Sequence, residues 1–188
     1  MRWIAALFVL IFVFSPDEKQ THERVITDPH GEFRCSIARS STGQLYTAGH
    51  CRMPDKKLYL DGKEIDYVAL SGDIIQVGSK SYRADKGVLT ADKVKPKMRV
   101  VARIGGLSAL TERPFYFERE GTILAVLTSD ELRSVLDTTG RKGRYALIDI
   151  GSFQGCSGSG VYYNGKLIGV MVAGTSDYTL VSLIEPER

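Results

Sequence analysis

Residues 155–164 read GCSGSGVYYN, and the chain runs on as GKLIGVMVAG to Gly174. Glycines at 155, 158 and 160 and serines at 157 and 159 surround Cys156, and the stretch then turns into β-strand sequence. Glycine reaches backbone conformations closed to other residues. Its density here marks either an ordinary flexible turn or a main chain bent to present one side chain together with free N–H groups. The surrounding sequence distinguishes the two.

Outward from this stretch the chain reads as many short strands. Asn164-Gly165 marks a hairpin between VYY and KLIGVMVAG, and Asp61-Gly62 marks another inside LYLDGKEIDYVAL. FRCSIARSSTGQLYTA reads as two strands about a turn at Ser41-Thr42-Gly43. DIIQVG, RVVARIGG, PFYFERE, GTILAVLT, YALIDI and YTLVSLIE add further β-like runs. Only SDELRSVL, behind a cap at Ser129, carries a helical period. Closely spaced strands with turn signals predict an all-β sandwich or barrel.

At 188 residues the chain is long enough for one domain, or for two small barrels sharing a core. A hydrophobic share of 43% and a charged share of 25% exclude a disordered chain. The net charge of +3 rests on 25 basic against 22 acidic residues, and the basic ones fall in short scattered clusters such as Lys93, Lys95 and Lys97. These read as solvated loops, so no nucleic-acid partner is expected.

The N-terminus is different. Arg2 precedes an unbroken apolar run from Trp3 to Phe14. A run this short matches a secretory signal better than a membrane span, which needs about 20 residues. Pro16 after Ser15 makes a poor cleavage site, so membrane attachment through an uncleaved segment at residues 3–14 stays open. Residues 1–15 are therefore read as a signal peptide or anchor, 16–30 as a polar linker, and 31–188 as the folded domain. That domain is expected to be secreted or otherwise outside the cytoplasm, where disulfides persist.

Three segments carry chemistry. LYTAGHCR places His50 where a strand ends, SGDIIQV places Asp73 before an apolar strand, and GCSGSG places Ser157 among glycines. A serine nucleophile needs a base to take its proton and a carboxylate to orient that base. It also needs main-chain N–H groups aimed at the developing oxyanion. The order His, Asp, Ser is that of chymotrypsin. The α/β-hydrolase order requires a histidine after the serine, and the histidines here are His22, His30 and His50. The subtilisin order would take Asp17 or Asp28 as the acid, but the all-β pattern opposes that fold. Asp66, within EIDYVAL, is the rival to Asp73 and reads as an exposed strand residue, while Asp85 and Asp92 lie in loop-like sequence.

With these residues in view, the chain resembles trypsin-like serine peptidases of the chymotrypsin fold, of the compact bacterial and viral type. TAGHC resembles the family's histidine motif, GCSGSGV its GDSGGPV motif, GDIIQV its aspartate strand and GKLIGVMVAG the strand that pairs with substrate. The likeness covers about residues 31–184. It implies two six-stranded antiparallel β-barrels with the active site in the cleft between them. It also implies an oxyanion hole from the Gly155 and Ser157 N–H groups and a disulfide between Cys35 and Cys51. Val172, Ala173 and Gly174 correspond to the segment that binds substrate backbone by strand addition. Gly151 corresponds to the floor of the specificity pocket, which predicts a neutral pocket; Asp149 and Asp177 are near it in sequence.

The chain departs from the family at Cys156, where an acidic residue usually precedes the serine and pairs with a newly cut N-terminus. RVITD at Arg24 is similar to an activation site, yet Val25 would find no acid at 156. Cys156 is then the cysteine left over, a small buried residue. Cysteine-using relatives place their nucleophile at the Ser157 position, so Cys156 is not assigned that role. The reading is a serine endopeptidase acting on protein or peptide substrates through an acyl-enzyme. No metal or organic cofactor is implied, since no ligand cluster or phosphate loop is present. Two rivals remain: a virus-type protease that processes its own precursor, and a catalytically inactive homologue used as a binding module.

Overall fold

The two hairpin signals mark where the chain reverses most tightly. Asp61 (φ 50°) and Gly62 (φ 77°) set Leu60 opposite Lys63, and Asn164 (φ 49°) and Gly165 (φ 75°) set Tyr163 opposite Lys166. Two consecutive left-handed residues give a turn whose twist matches that of the strands it joins. The structure is a computed structural model that describes residues 24–107, 114–133 and 142–186. The segment read as signal or anchor, 1–15, lies outside the described residues, as does the linker up to residue 23.

The first half carries β1 (Ile26–Thr27), β2 (Phe33–Cys35), β3 (Ala38–Arg39), β4 (Leu45–Ala48), β5 (Tyr59–Leu60), β6 (Lys63–Glu64), β7 (Tyr67–Ala69) and β8 (Ile74–Val77). The second carries β9 (Arg99–Leu107), β10 (Pro114–Thr128), α1 (Ser129–Arg133), β11 (Arg144–Ile148), β12 (Gly160–Tyr163), β13 (Lys166–Gly174) and β14 (Thr179–Leu183). The fold is all-β and two-part. In the second half six strands close a barrel in the order β10-β11-β14-β13-β12-β9. In the first half two four-stranded sheets, β2-β1-β5-β6 and β3-β4-β8-β7, share one apolar core that includes Ile26, Tyr46, Leu58 and Ile74. A second core, with Ile104, Ile123, Ile148 and Met171, fills the closed barrel. Burying each of these side chains stabilises the fold by about 1.5–3 kcal/mol.

Several elements differ from the sequence reading. FRCSIARSSTGQLYTA forms three strands, because Ser36 leaves the ladder and donates its N–H to the Ser157 carbonyl at 2.8 Å. PFYFERE and GTILAVLT merge into β10, which changes partner along its length: residues 114–122 pair with β9 and residues 123–128 with β11. The helix in SDELRSVL is described only as α1, and residues 134–136 lie outside the described residues. Its cap is Thr128, not Ser129. The Thr128 hydroxyl accepts the Glu131 N–H at 3.3 Å, and the Glu131 carboxylate accepts the Thr128 N–H at 2.6 Å. This is the reciprocal capping box, with the acid three residues inside the helix.

Asp85 staples a loop to the first half's core. Its carboxylate accepts hydrogen bonds from Thr42 Oγ1 (2.5 Å), the Tyr46 hydroxyl (2.9 Å) and the Gly87 N–H (2.8 Å). Burial opposes its charge, but the Ser40 and Thr42 hydroxyls, the Gly87 N–H and the Tyr46 hydroxyl outweigh burial and hold the carboxyl below the ordinary aspartate range. Asp85→Ala is expected to lower unfolding free energy by about 1–3 kcal/mol in urea titration. A depressed folded pKa stabilises above the unfolded value, so the gap to wild type should be full above about pH 4 and shrink as pH falls further.

Candidate active site

His50 lies in a short 3-10 turn, Gly49–Cys51, directly after β4, and Asp73 directly precedes β8. These strands are antiparallel neighbours with Ala48 opposite Ile74, and the Gly49 N–H donates to the Asp73 carbonyl at 2.9 Å. The end of one strand therefore meets the start of the other, and the two side chains touch. His50 Nδ1 is 2.5 Å from Asp73 Oδ2, and His50 Nε2 is 2.9 Å from Ser157 Oγ. An ionised carboxylate only accepts, so Nδ1 carries the hydrogen and Nε2 is left to accept from the serine hydroxyl. The imidazole side chain is 44% exposed and the aspartate 21%, so the ring is open to solvent and its partner more shielded. The Asp73 N–H is held by Ser182 Oγ at 3.0 Å.

The Ser157 turn bends as its glycines predict. Gly155 (φ 95°) and Gly158 (φ 88°) are both left-handed, and a Cβ on Gly158 would strike the Ser36 carbonyl. Within the turn, the Cys156 N–H donates to the Phe153 carbonyl (3.1 Å) and the Ser159 N–H to the Cys156 carbonyl (2.9 Å). Ser36 reaches in from the first half. Its N–H donates to the Ser157 carbonyl at 2.8 Å, its Oγ to the Gly155 carbonyl at 3.2 Å, and its own carbonyl accepts from Thr47 Oγ1 at 2.8 Å. Among the described residues no acceptor pairs with the N–H of Gly155 or Ser157. Donors left free beside a serine hydroxyl are what an oxyanion requires.

The Cys35–Cys51 disulfide ties the His50 turn to β2, one residue before Ser36. Both sulfurs lie close to the His50 ring, but their bond to one another removes them as metal ligands. Cys156 is 2% exposed in the core of the closed barrel, and its Sγ accepts the Phe153 N–H at 3.4 Å. Burial pushes its thiol up, which disfavours the reactive thiolate.

A cavity of about 400 Å³ opens beside these residues. Ser152 to Ser157 form one wall, Met171 to Gly174 another, and Arg34 and His50 also line it. Val172, Ala173 and Gly174 thus line the cavity. Gly151 is not among its lining; it packs against the Ser176 carbonyl with no room for a Cβ, and Ser152 stands in the wall instead. Among the described residues no carboxylate lines the cavity. Asp149 accepts the Thr122 N–H, and Asp177 accepts from the Ser176 hydroxyl at an exposed position. Asp66 is also elsewhere, exposed and 3.8 Å from Lys80 Nζ. Sequence reasoning missed Ser36 and Arg34. A serine beside a half-cystine has no motif; only its contacts with the turn reveal it.

Alkylation without reduction is expected to leave Cys35 and Cys51 joined and to modify Cys156 alone, slowly in the folded protein and rapidly after denaturation. Mass spectrometry reads this directly. A Cys156 bridged to either partner would refute the pairing.

No protein-family model matches the chain, and no curated protein matches it in sequence. Solved structures do match. The inactive form of the Rv3671c protease of M. tuberculosis is 16% identical, with 85% of this chain and 82% of that one covered at a TM-score of 0.55. A human pathogenic astrovirus serine protease is 13% identical, covering 87% and 89% of the two chains at 0.55. Neuropsin, a serine protease from mouse brain, is 13% identical, covering 86% and 88% at 0.52. Across most of its length, then, this chain has the chymotrypsin-like double-barrel fold of the trypsin-like serine proteases.

Proposed function

We propose that this protein is a serine endopeptidase whose nucleophile is Ser157, whose base is His50 and whose orienting carboxylate is Asp73. The observation that carries the reading is the continuous line from Ser157 Oγ through both nitrogens of His50 to Asp73 Oδ2. His50 Nε2 takes the Ser157 proton as Oγ bonds to the scissile carbonyl carbon. The Gly155 and Ser157 N–H groups hold the oxyanion. The imidazolium, stabilised by Asp73, then gives its proton to the leaving amine as the C–N bond breaks. Water, deprotonated by His50, attacks the acyl-enzyme and restores the serine.

The site does not wait for a new N-terminus. An ammonium arriving beside Cys156 would be buried without a charge partner, which is costly. Val25 is in any case engaged elsewhere, donating its N–H to Asp61 Oδ1 (3.1 Å) and accepting the Asp61 N–H at its carbonyl (3.1 Å). The Ser36 hydrogen bonds and the packing of Cys156 supply the order that an ion pair would otherwise supply. The disulfide also favours a location outside the cytoplasm. Residues 1–15 would then act as the export signal or, uncleaved through 3–14, as an anchor.

A fluorophosphonate probe is expected to label Ser157 in the wild type and not in Ser157→Ala. Casein or peptide hydrolysis should be nearly lost in Ser157→Ala and His50→Ala, and should fall about 10⁴-fold in turnover in Asp73→Asn. Damage from Asp66→Asn with Asp73→Asn harmless would overturn the choice of acid.

Protein beginning near Thr21 should be active whatever its first residue, tag included. Activity that appears only after cleavage behind Arg24 would refute the absence of a zymogen switch.

A further inference from the structure

We propose that Cys35, Cys51 and His50 form a zinc site in the chain whose disulfide is open, and that zinc bound there withdraws His50 from Ser157. The binding stands by itself, whereas its effect on the site rests on the peptidase reading above.

The fold draws two sulfurs and a ring nitrogen together. Cys51 follows His50 in the same 3-10 turn, and Cys35 comes to it from β2, with the two cysteine Cα atoms 6.0 Å apart. The two sulfurs and one nitrogen of His50 all lie within 4.8 Å of one another. Ligand atoms on one tetrahedral zinc stand about 3.5–3.8 Å apart, so freed thiolates and the ring reach a shared ion by shifts of about an ångström. Thiolates with imidazole form a donor set that suits zinc and not the hard cations that carboxylates and water hold.

Burial and access both fit an ion. Cys35 is 5% exposed and Cys51 1%, so a divalent charge placed there has to be neutralised locally. Two thiolates carry two negative charges, which leaves the buried complex neutral. Cys35 and His50 also line the cavity beside Ser157, and the imidazole is open enough to turn. The cavity therefore supplies an entry path and the water that completes four-coordination.

Metal and triad exclude one another. A neutral imidazole has a single nitrogen lone pair. With the hydrogen on Nδ1 toward Asp73, that lone pair is on Nε2, 2.9 Å from Ser157 Oγ. Zinc on Nε2 takes the pair that would accept the serine proton, and zinc on Nδ1 displaces the hydrogen that Asp73 holds. On binding, Zn²⁺ replaces the two thiol protons, which pass to solvent. Exchange with a disulfide oxidant then joins the two sulfurs, reduces the oxidant to its two thiols, and frees both the ion and the base. A chain that folds before its disulfide closes is thereby kept from cleaving peptides, and oxidation switches it on.

The test opens the disulfide of the full chain with a phosphine, which is oxidised to its oxide by water as the two thiols form, and then adds zinc or cobalt. Equilibrium dialysis is expected to find one zinc on the reduced chain and none on the oxidised chain. Cobalt should give the sulfur-to-metal charge-transfer band of a thiolate site. Cys35→Ser/Cys51→Ser should abolish both signals although Cys156 remains, and His50→Ala should weaken zinc binding at least about tenfold. Fluorophosphonate labelling of the reduced wild type should proceed with a chelator and stop with excess zinc, while the oxidised wild type labels in both. A reduced chain that keeps its β-strand circular dichroism and binds no zinc would refute the site. So would loss of that dichroism on reduction, or zinc binding that survives Cys35→Ser/Cys51→Ser. Undiminished binding by His50→Ala would refute the withdrawal of the base. An oxidised wild type that never labels would refute the peptidase reading instead and leave the zinc count standing.

Discussion

Ser36 occupies the point where the two halves of the molecule exchange hydrogen bonds beside the site. Its N–H and hydroxyl take the carbonyls of Ser157 and Gly155, on either side of Cys156, and its own carbonyl is taken by Thr47 of β4. It is fully buried, so none of these groups has water as a substitute partner. Each bond contributes on the order of 1 kcal/mol net, and breaking one so as to strand a buried carbonyl costs about 1–3 kcal/mol. Cys35, one residue earlier, is bonded to Cys51, one residue after His50. A short path of one disulfide and two hydrogen bonds therefore joins the histidine turn to the serine turn.

The relation of His50 to Asp73 is secured differently, by strand pairing. β4 and β8 run side by side with Ala48 opposite Ile74, and both residues are buried. A slip by one residue would turn Ile74 and its neighbours to the wrong face, so the packing of this sheet holds the register. The register in turn fixes the approach of histidine and aspartate. The first half thus places His50 and Asp73 from one sheet, and the closed barrel carries Ser157 and most of the cavity lining.

Cys156 shows how an apolar contact fills a place where charge is usual. Its thiol is buried among Ile104, Val161 and Met171, members of the same core, and it accepts a hydrogen bond from Phe153 N–H. A carboxylate in that place would need a cationic partner to be tolerated. The thiol needs none, and order in the turn passes to main-chain hydrogen bonds that form as the two halves dock.

Much was legible in the sequence because it depends on residues close together in the chain. Asp61-Gly62 and Asn164-Gly165 are turns by their own conformational preference, and alternation and β-branching wrote the strands around them. His50, Asp73 and Ser157 stood out because nucleophilic chemistry admits few residue types in few local settings. Other features depend on contacts between distant segments. Ser36 interrupts its strand only because Ser157, more than a hundred positions on, takes its N–H. PFYFERE and GTILAVLT became one strand because two different neighbours hold its two ends. Gly151 lies against the Ser176 carbonyl and Ser152 in the cavity wall, a placement no motif announces. The sequence by itself determined where the chain turns and which residue types stand as candidates for the chemistry. Tertiary packing alone decided which backbone groups pair across the halves, since those partners exist only once both halves are folded.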